Sequence, residues 1–69
     1  MAVEKSIDLT ATGATLEEAI ASAIHRASLT LQGLTSFEVE RIEGTIEQEE
    51  VVYRVLVRVA FVIKEQLHE

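Results

Sequence analysis

The stretch from Val51 to Ile63, VVYRVLVRVAFVI, constrains the fold more than any other part of the chain. It contains no turn residue and places an apolar side chain at every odd position: Val51, Tyr53, Val55, Val57, Val59, Phe61 and Ile63. Successive strand residues alternate between faces, so these seven point to one side of a single β-strand and form a core face. The opposite side carries Val52, Arg54, Leu56, Arg58, Ala60, Val62 and Lys64, too apolar for open water and too charged for a closed interior. At about 3.3 Å per residue the strand spans roughly 40 Å, well beyond the usual five or six residues. A chain of 69 residues cannot bury both faces of it alone, because a domain near this size removes only about 60% of its surface from water.

Small chains make up that deficit with disulfides, metals or assembly. The sequence has no cysteine, which excludes disulfides and thiolate metal sites, suits a reducing cytoplasm, and leaves assembly. A formal net charge of −6, from 12 acidic and 6 basic residues, repels nucleic acid and anionic membrane. No apolar run reaches the roughly 18 residues of a membrane span, and MAVEKSIDL lacks the basic and apolar regions of a signal peptide. The expectation is one soluble, cytoplasmic domain over residues 1–69.

Val3 to Thr10 alternates Val3, Lys5, Ile7 and Leu9 with Glu4, Ser6, Asp8 and Thr10, a first strand with a polar outer face. A turn over Ala11 to Ala14 follows. Thr15 and Glu18 have the spacing of a capping box, which starts a helix at Leu16. Leu16, Ile20, Ala23, Ile24, Ala27, Leu31 and Leu34 recur at intervals of three and four, predicting a helix over Leu16 to Gln32 that Gly33 ends as a left-handed cap. Its other side, with Glu17, Ala21, Ser22, His25, Arg26, Ser28 and Leu29, is small and weakly charged, a candidate contact surface.

The second strand, Phe37 to Glu47, opens with Phe37 and Val39 facing inward, but its next apolar residues, Ile42 and Ile46, fall on even positions. A β-bulge at Glu40 or Arg41 absorbs this change of phase, and Gly44 is a second place for a bend or a close backbone approach. Glu47 to Glu50 connects this strand to the long third strand as a hairpin, and Lys64 to Glu69 forms a polar tail. The order is strand, helix, strand, strand. A long antiparallel hairpin curls around one helix, the first strand joins the sheet, and the face with Arg54, Leu56 and Arg58 is left for another subunit.

Catalysis finds no support. His25 and His68 stand alone, without a second group to complete a site, and Gly13, Gly33 and Gly44 serve a turn, a cap and a bend rather than a phosphate loop. No catalytic residue and no metal ligand set is assigned.

The element order and several strings resemble the dodecin family of small flavin-binding proteins. The strings are TATGATLEEAI after the first strand, HRASLTLQGL at the helix end, TSFEVERIEGTI, and YRVLVRVAFV from Tyr53. With the first strand, the resemblance extends over essentially Val3 to Glu65, and its most specific piece is Phe37, Glu38 and Val39 followed by Arg41, Ile42, Glu43 and Gly44. The resemblance implies an α+β fold, with a three-stranded antiparallel sheet partly wrapped around one helix, assembling into a hollow homododecamer. Flavin-binding members are similar in having a tryptophan just before the phenylalanine of the second strand, which stacks on the flavin. Here that position is Ser36, and the chain has no tryptophan. A glutamine that follows the tyrosine of the third strand and meets the flavin edge is here Arg54. Losing an aromatic partner removes about 0.5–1.5 kcal/mol beyond area burial, whereas an arginine offers a fork of donors for carboxylate or phosphate.

The resemblance therefore implies a non-catalytic cage that stores a small ligand, with flavin binding weakened or lost. Thr35, Ser36, Arg54 and Leu56 are the candidate ligand residues, in pockets between subunits. Three alternatives stay open. One is retained storage of flavin mononucleotide or riboflavin. Another is calcium binding through Glu38, Glu40, Glu43 and Glu47 gathered around a symmetry axis, although glutamates scattered along a strand read first as a solvated face. The last is a purely structural module in which Arg54 and Arg58 pair with carboxylates across an interface.

Overall fold

The structure, a computed structural model, describes residues 2–64; His68 and the tail from Glu65 onward lie outside the described residues. Four elements follow in order: β1 (Ala2–Gly13), α1 (Leu16–Thr30), β2 (Leu34–Glu47) and β3 (Glu50–Lys64). The sheet order is β1-β3-β2 and both pairings are antiparallel, so the long apolar strand is central and both of its edges are hydrogen-bonded. No helix among the described residues is long and apolar enough to cross a membrane.

The inner face of β3 behaves as its alternation demands. Val55, Val57 and Val59 are fully buried and Phe61 nearly so. Ile7, Leu9 and Ala11 extend the same face on β1, where they oppose Val59, Val57 and Val55. The helix packs on β1 and β3 and barely touches β2. Its contact line is Ala19, Ala23 and Ala27, all buried, with Leu16, Ile20, Ile24 and Leu31 half-buried at its sides. The expected stripe is thus the buried face, centred on Ala23 and Ala27, and the structure adds Ala19 to it. Only the smallest side chains fit on the centreline when a helix approaches a sheet of valines closely.

Local chemistry explains the ends of the helix. The Thr15 hydroxyl accepts from the Glu18 amide at 3.1 Å, and Glu17 and Glu18 place negative charge at the positive end of the helix dipole. The helix stops at Thr30, two residues before the expected end, with Leu31 extended and its amide donating to the Ala27 carbonyl. Gly33 is left-handed (φ 76°), but it serves the entry to β2 rather than the helix cap. Its carbonyl accepts from the Val62 amide, and an added Cβ would lie 2.8 Å from the Val62 oxygen.

β1 runs to Gly13, three residues past its expected end, because β3 offers backbone partners as far as Tyr53. The ladder between β2 and β3 shifts register at Glu40, where the change of hydrophobic phase requires it, and again at Thr35. There the Thr35 hydroxyl donates to the Ala60 carbonyl at 3.3 Å. Gly44 faces Tyr53 but has room for a Cβ, which would meet only the Val52 oxygen at 3.8 Å, so no backbone of this chain approaches it closely. The hairpin turns on Gln48 and Glu49, both at positive φ (51° and 68°), the sign pattern of a type I′ turn.

The expectation that Phe37 faces inward into the core is corrected in one respect. Phe37 opposes Val59 across the ladder, but it stays 52% exposed because the helix does not reach over β2. Ile42 and Ile46, opposite Val55 and Val51, are likewise 55% and 78% exposed.

Candidate ligand site

The outer face of the sheet is built in rows, because residues paired across an antiparallel ladder share a face. Along β3 the rows are Ser6, Ala60 and Ser36; then Asp8, Arg58 and Glu38; then Thr10, Leu56 and Arg41; then Thr12, Arg54 and Glu43. The chain's three aromatic residues, Phe37, Tyr53 and Phe61, belong to the inner rows, so this face presents no ring for stacking.

Arg58 is the anchor of the face. Its Nε donates to Asp8 Oδ1 at 3.1 Å and lies 2.9 Å from Glu40 Oε1. The bulge makes the second contact available, since Glu40 is the residue skipped in the ladder and is free to turn toward the arginine. The hydrogen bond and charge of Asp8, then the charge of Glu40, raise the Arg58 pKa above the ordinary guanidinium value. Arg58 is thus a fixed cation whose charge is already answered.

Arg54 is different. Its cross-strand neighbour Glu43 is engaged by Arg41, with Nη2 to Oε2 at 3.1 Å. Among the described residues Arg54 has no carboxylate partner of its own. It lines a cavity of about 120 Å³ with Thr10, Arg41, Glu43 and Leu56. Thr35 and Ser36 line a separate cavity of about 190 Å³, with Ile24, Leu34, Phe37 and Val59.

The four sequence candidates thus fall into two pairs within one chain. Arg54 and Leu56 are neighbours on the outer face, whereas Ser36 lies beside Ala60, four residues along β3 from Leu56, or about 13 Å. Thr35 spends its hydroxyl on the backbone. The structure adds Thr10, Arg41 and Glu43 around Arg54. Thr10 was legible as a polar-face residue of β1, but the pairing of Arg41 with Glu43 depends on a bulge whose exact position the phase of the sequence left open between two residues. His25 is exposed on the helix, and its carbonyl accepts from the Ser28 hydroxyl at 2.6 Å. No three acidic or histidine side chains among the described residues converge as a metal site.

Known proteins agree with this architecture. An arginine-to-alanine variant of the dodecin from Thermus thermophilus is 40% identical, covers 96% of this chain and 100% of its own, and superposes with a TM-score of 0.88. The dodecin from Streptomyces davaonensis is 29% identical over 93% of this chain and 97% of its own, with a TM-score of 0.85. A Mycobacterium tuberculosis protein, described as a calcium-chelating immunodominant antigen and calcium dodecin, shares the fold at 23% identity and a TM-score of 0.79, covering 97% of this chain and 99% of its own. The comparison with curated proteins finds no match. The sequence model of the Dodecin family matches residues 3–64, nearly the whole of the four-element fold, and the chain belongs to the Dodecin family.

Proposed function

We propose that this chain is a non-catalytic, self-assembling ligand-storage protein of the cytoplasm. It works as a homododecamer of single dodecin-like domains that hold a small ligand where copies meet, at Thr35, Ser36, Arg54 and Leu56. The observation that supports assembly is the uncovered inner face of β2, where Phe37, Ile42 and Ile46 lie more than half exposed in a chain too small to waste apolar surface. Membership of the Dodecin family supports small-ligand binding. The grouping of two candidate pairs at separate places along the sheet is consistent with a pocket that needs a second copy to close it.

Flavin stacking is weakened in this reading, because Ser36 replaces an aromatic ring and no other ring lies on the outer face. Calcium storage, which the description of the M. tuberculosis relative raises, has less support. Of the four glutamates concerned, Glu40 and Glu43 are already engaged by Arg58 and Arg41.

Native mass spectrometry of the protein as purified tests the proposal, since one spectrum reports subunit number and retained ligand together. A dodecamer carrying a small-molecule adduct is the expected result. Flavin adducts at full occupancy would overturn the weakened-flavin reading, calcium adducts would favour the metal alternative, and a monomer would remove the assembly.

A further inference from the structure

The charges of the outer face fall into two unlike groups about 13 Å apart. Around Arg58, one cation faces Asp8, Glu38 and Glu40, a net charge of −2. Around Arg54, two arginines face one carboxylate, a net charge of +1. A locally positive cluster on a chain of net charge −6 attracts an anion over short distances, while the rest of the surface repels it. Because Arg41 takes up Glu43, the fork of Arg54 remains available for a bidentate contact, which an arginine makes best with a planar carboxylate or a phosphate. The Thr10 hydroxyl supplies a further donor at the wall of the cavity, and Leu56 an apolar floor. The cavity, at about 120 Å³, has room for such a group, since a single water needs only about 10–15 Å³ by the same measure.

We propose that Arg54, with Arg41 and Thr10, forms an anion subsite that selects small ligands carrying a phosphate or carboxylate group and seats their apolar part on Leu56. The subsite names the class of ligand for the storage function proposed above, and it rests on that reading for its role, though the affinity for the anion belongs to one chain.

The test is calorimetric titration of the full chain at constant ionic strength with three probes: inorganic pyrophosphate, flavin mononucleotide and riboflavin, the last two differing only by the phosphate. Native mass spectrometry of each sample is run in parallel. Flavin mononucleotide is expected to bind at least about tenfold more tightly than riboflavin, the weight of one charge-assisted contact, and pyrophosphate is expected to compete with it. Arg54→Gln should abolish the preference, and Lys5→Gln, which removes a cation opposite Phe61 toward the other end of β3, should preserve it. Arg41→Gln releases Glu43 to face Arg54 and should lower the preference without altering Arg54, which keeps the test decisive where Arg54→Gln disturbs assembly. Equal affinities, a preference that survives both Arg54→Gln and Arg41→Gln, or no uptake of pyrophosphate at millimolar concentration would each overturn the subsite. A monomer that binds pyrophosphate through Arg54 would support the subsite while removing the storage cage. A dodecamer indifferent to all anions would do the reverse.

Discussion

Gly13 and Gly44 look alike in sequence, each within or beside a strand, yet their surroundings differ. A Cβ at Gly13 would lie 2.6 Å from the Ala19 amide nitrogen, in the first turn of the helix, where neither backbone can yield cheaply. Gly13→Ala is expected to destabilise the chain by about 1–3 kcal/mol, the usual cost of overpacking, read by urea denaturation. At Gly44 the same change should be neutral or stabilise by up to about 0.5–1 kcal/mol, because the added methyl has room and glycine is costly inside a strand. Arg58 makes a different kind of contribution. Its pKa is raised in the folded chain, so its share of stability is present across the neutral range and is lost as the pH rises through that raised value. It therefore adds no pH slope near neutrality. What it does add is sensitivity to salt: Arg58→Ala leaves Asp8, Glu38 and Glu40 to repel one another, and the melting temperature should fall in dilute buffer and fall less at 1 M salt. Equal falls at both salt concentrations would show that packing, rather than charge, is the contribution.

The hairpin that joins β2 to β3 carries a local conflict. Gln48 and Glu49 both occupy the left-handed region that glycine and asparagine adopt more readily, and Glu47 and Glu50 oppose each other as like charges across the ladder. Replacing the turn with Gln48→Asn and Glu49→Gly is expected to stabilise the fold by about 1 kcal/mol, seen as a higher urea midpoint with the subunit number unchanged. The turn persists without this help because the ladder on either side of it is long and its register is held by the buried valines of β3. The two register shifts act on the same element. By skipping Thr35 and Glu40, β2 keeps Leu34, Phe37, Val39 and Ile42 on one face despite their uneven spacing, and the second shift delivers Glu40 to Arg58.

At the scale of the whole molecule, the chain exposes 5441 Å², against about 4,300 Å² for a compact monomer of its 7.6 kDa mass. Its extents of 61 × 19 × 12 Å describe a hairpin with a helix laid on one half of it. If copies assemble as proposed, mass action makes the expected melting temperature rise with protein concentration. Ile42→Asp, placed on the uncovered part of the inner face, is expected to lower the subunit number in native mass spectrometry and remove that concentration dependence. An unchanged oligomer would show that this face is not where copies meet.

Much of the fold was legible in the residues alone. Strict alternation from Val51 to Ile63 determined a long strand with one core face, the spacing of Thr15 and Glu18 determined where the helix begins, and the change of phase between Val39 and Ile42 determined a bulge. Each is a local consequence of side-chain direction or hydrogen-bond reach, which a sequence records directly. The separation of Thr35 and Ser36 from Arg54 and Leu56 was not legible, nor was the availability of Arg54, because both depend on how far one strand slides against another and on which carboxylate an arginine finds there. The apolar stripe of the helix was legible, Ala23 and Ala27 included, but not the burial of Ala19, which follows from how closely the helix lies on the valines of the sheet. Composition and alternation determined that this chain has a sheet, a helix and more apolar surface than one copy covers; the register between strands and the closeness of helix to sheet, set by packing across distant residues, decided which charges remain unanswered on its surface.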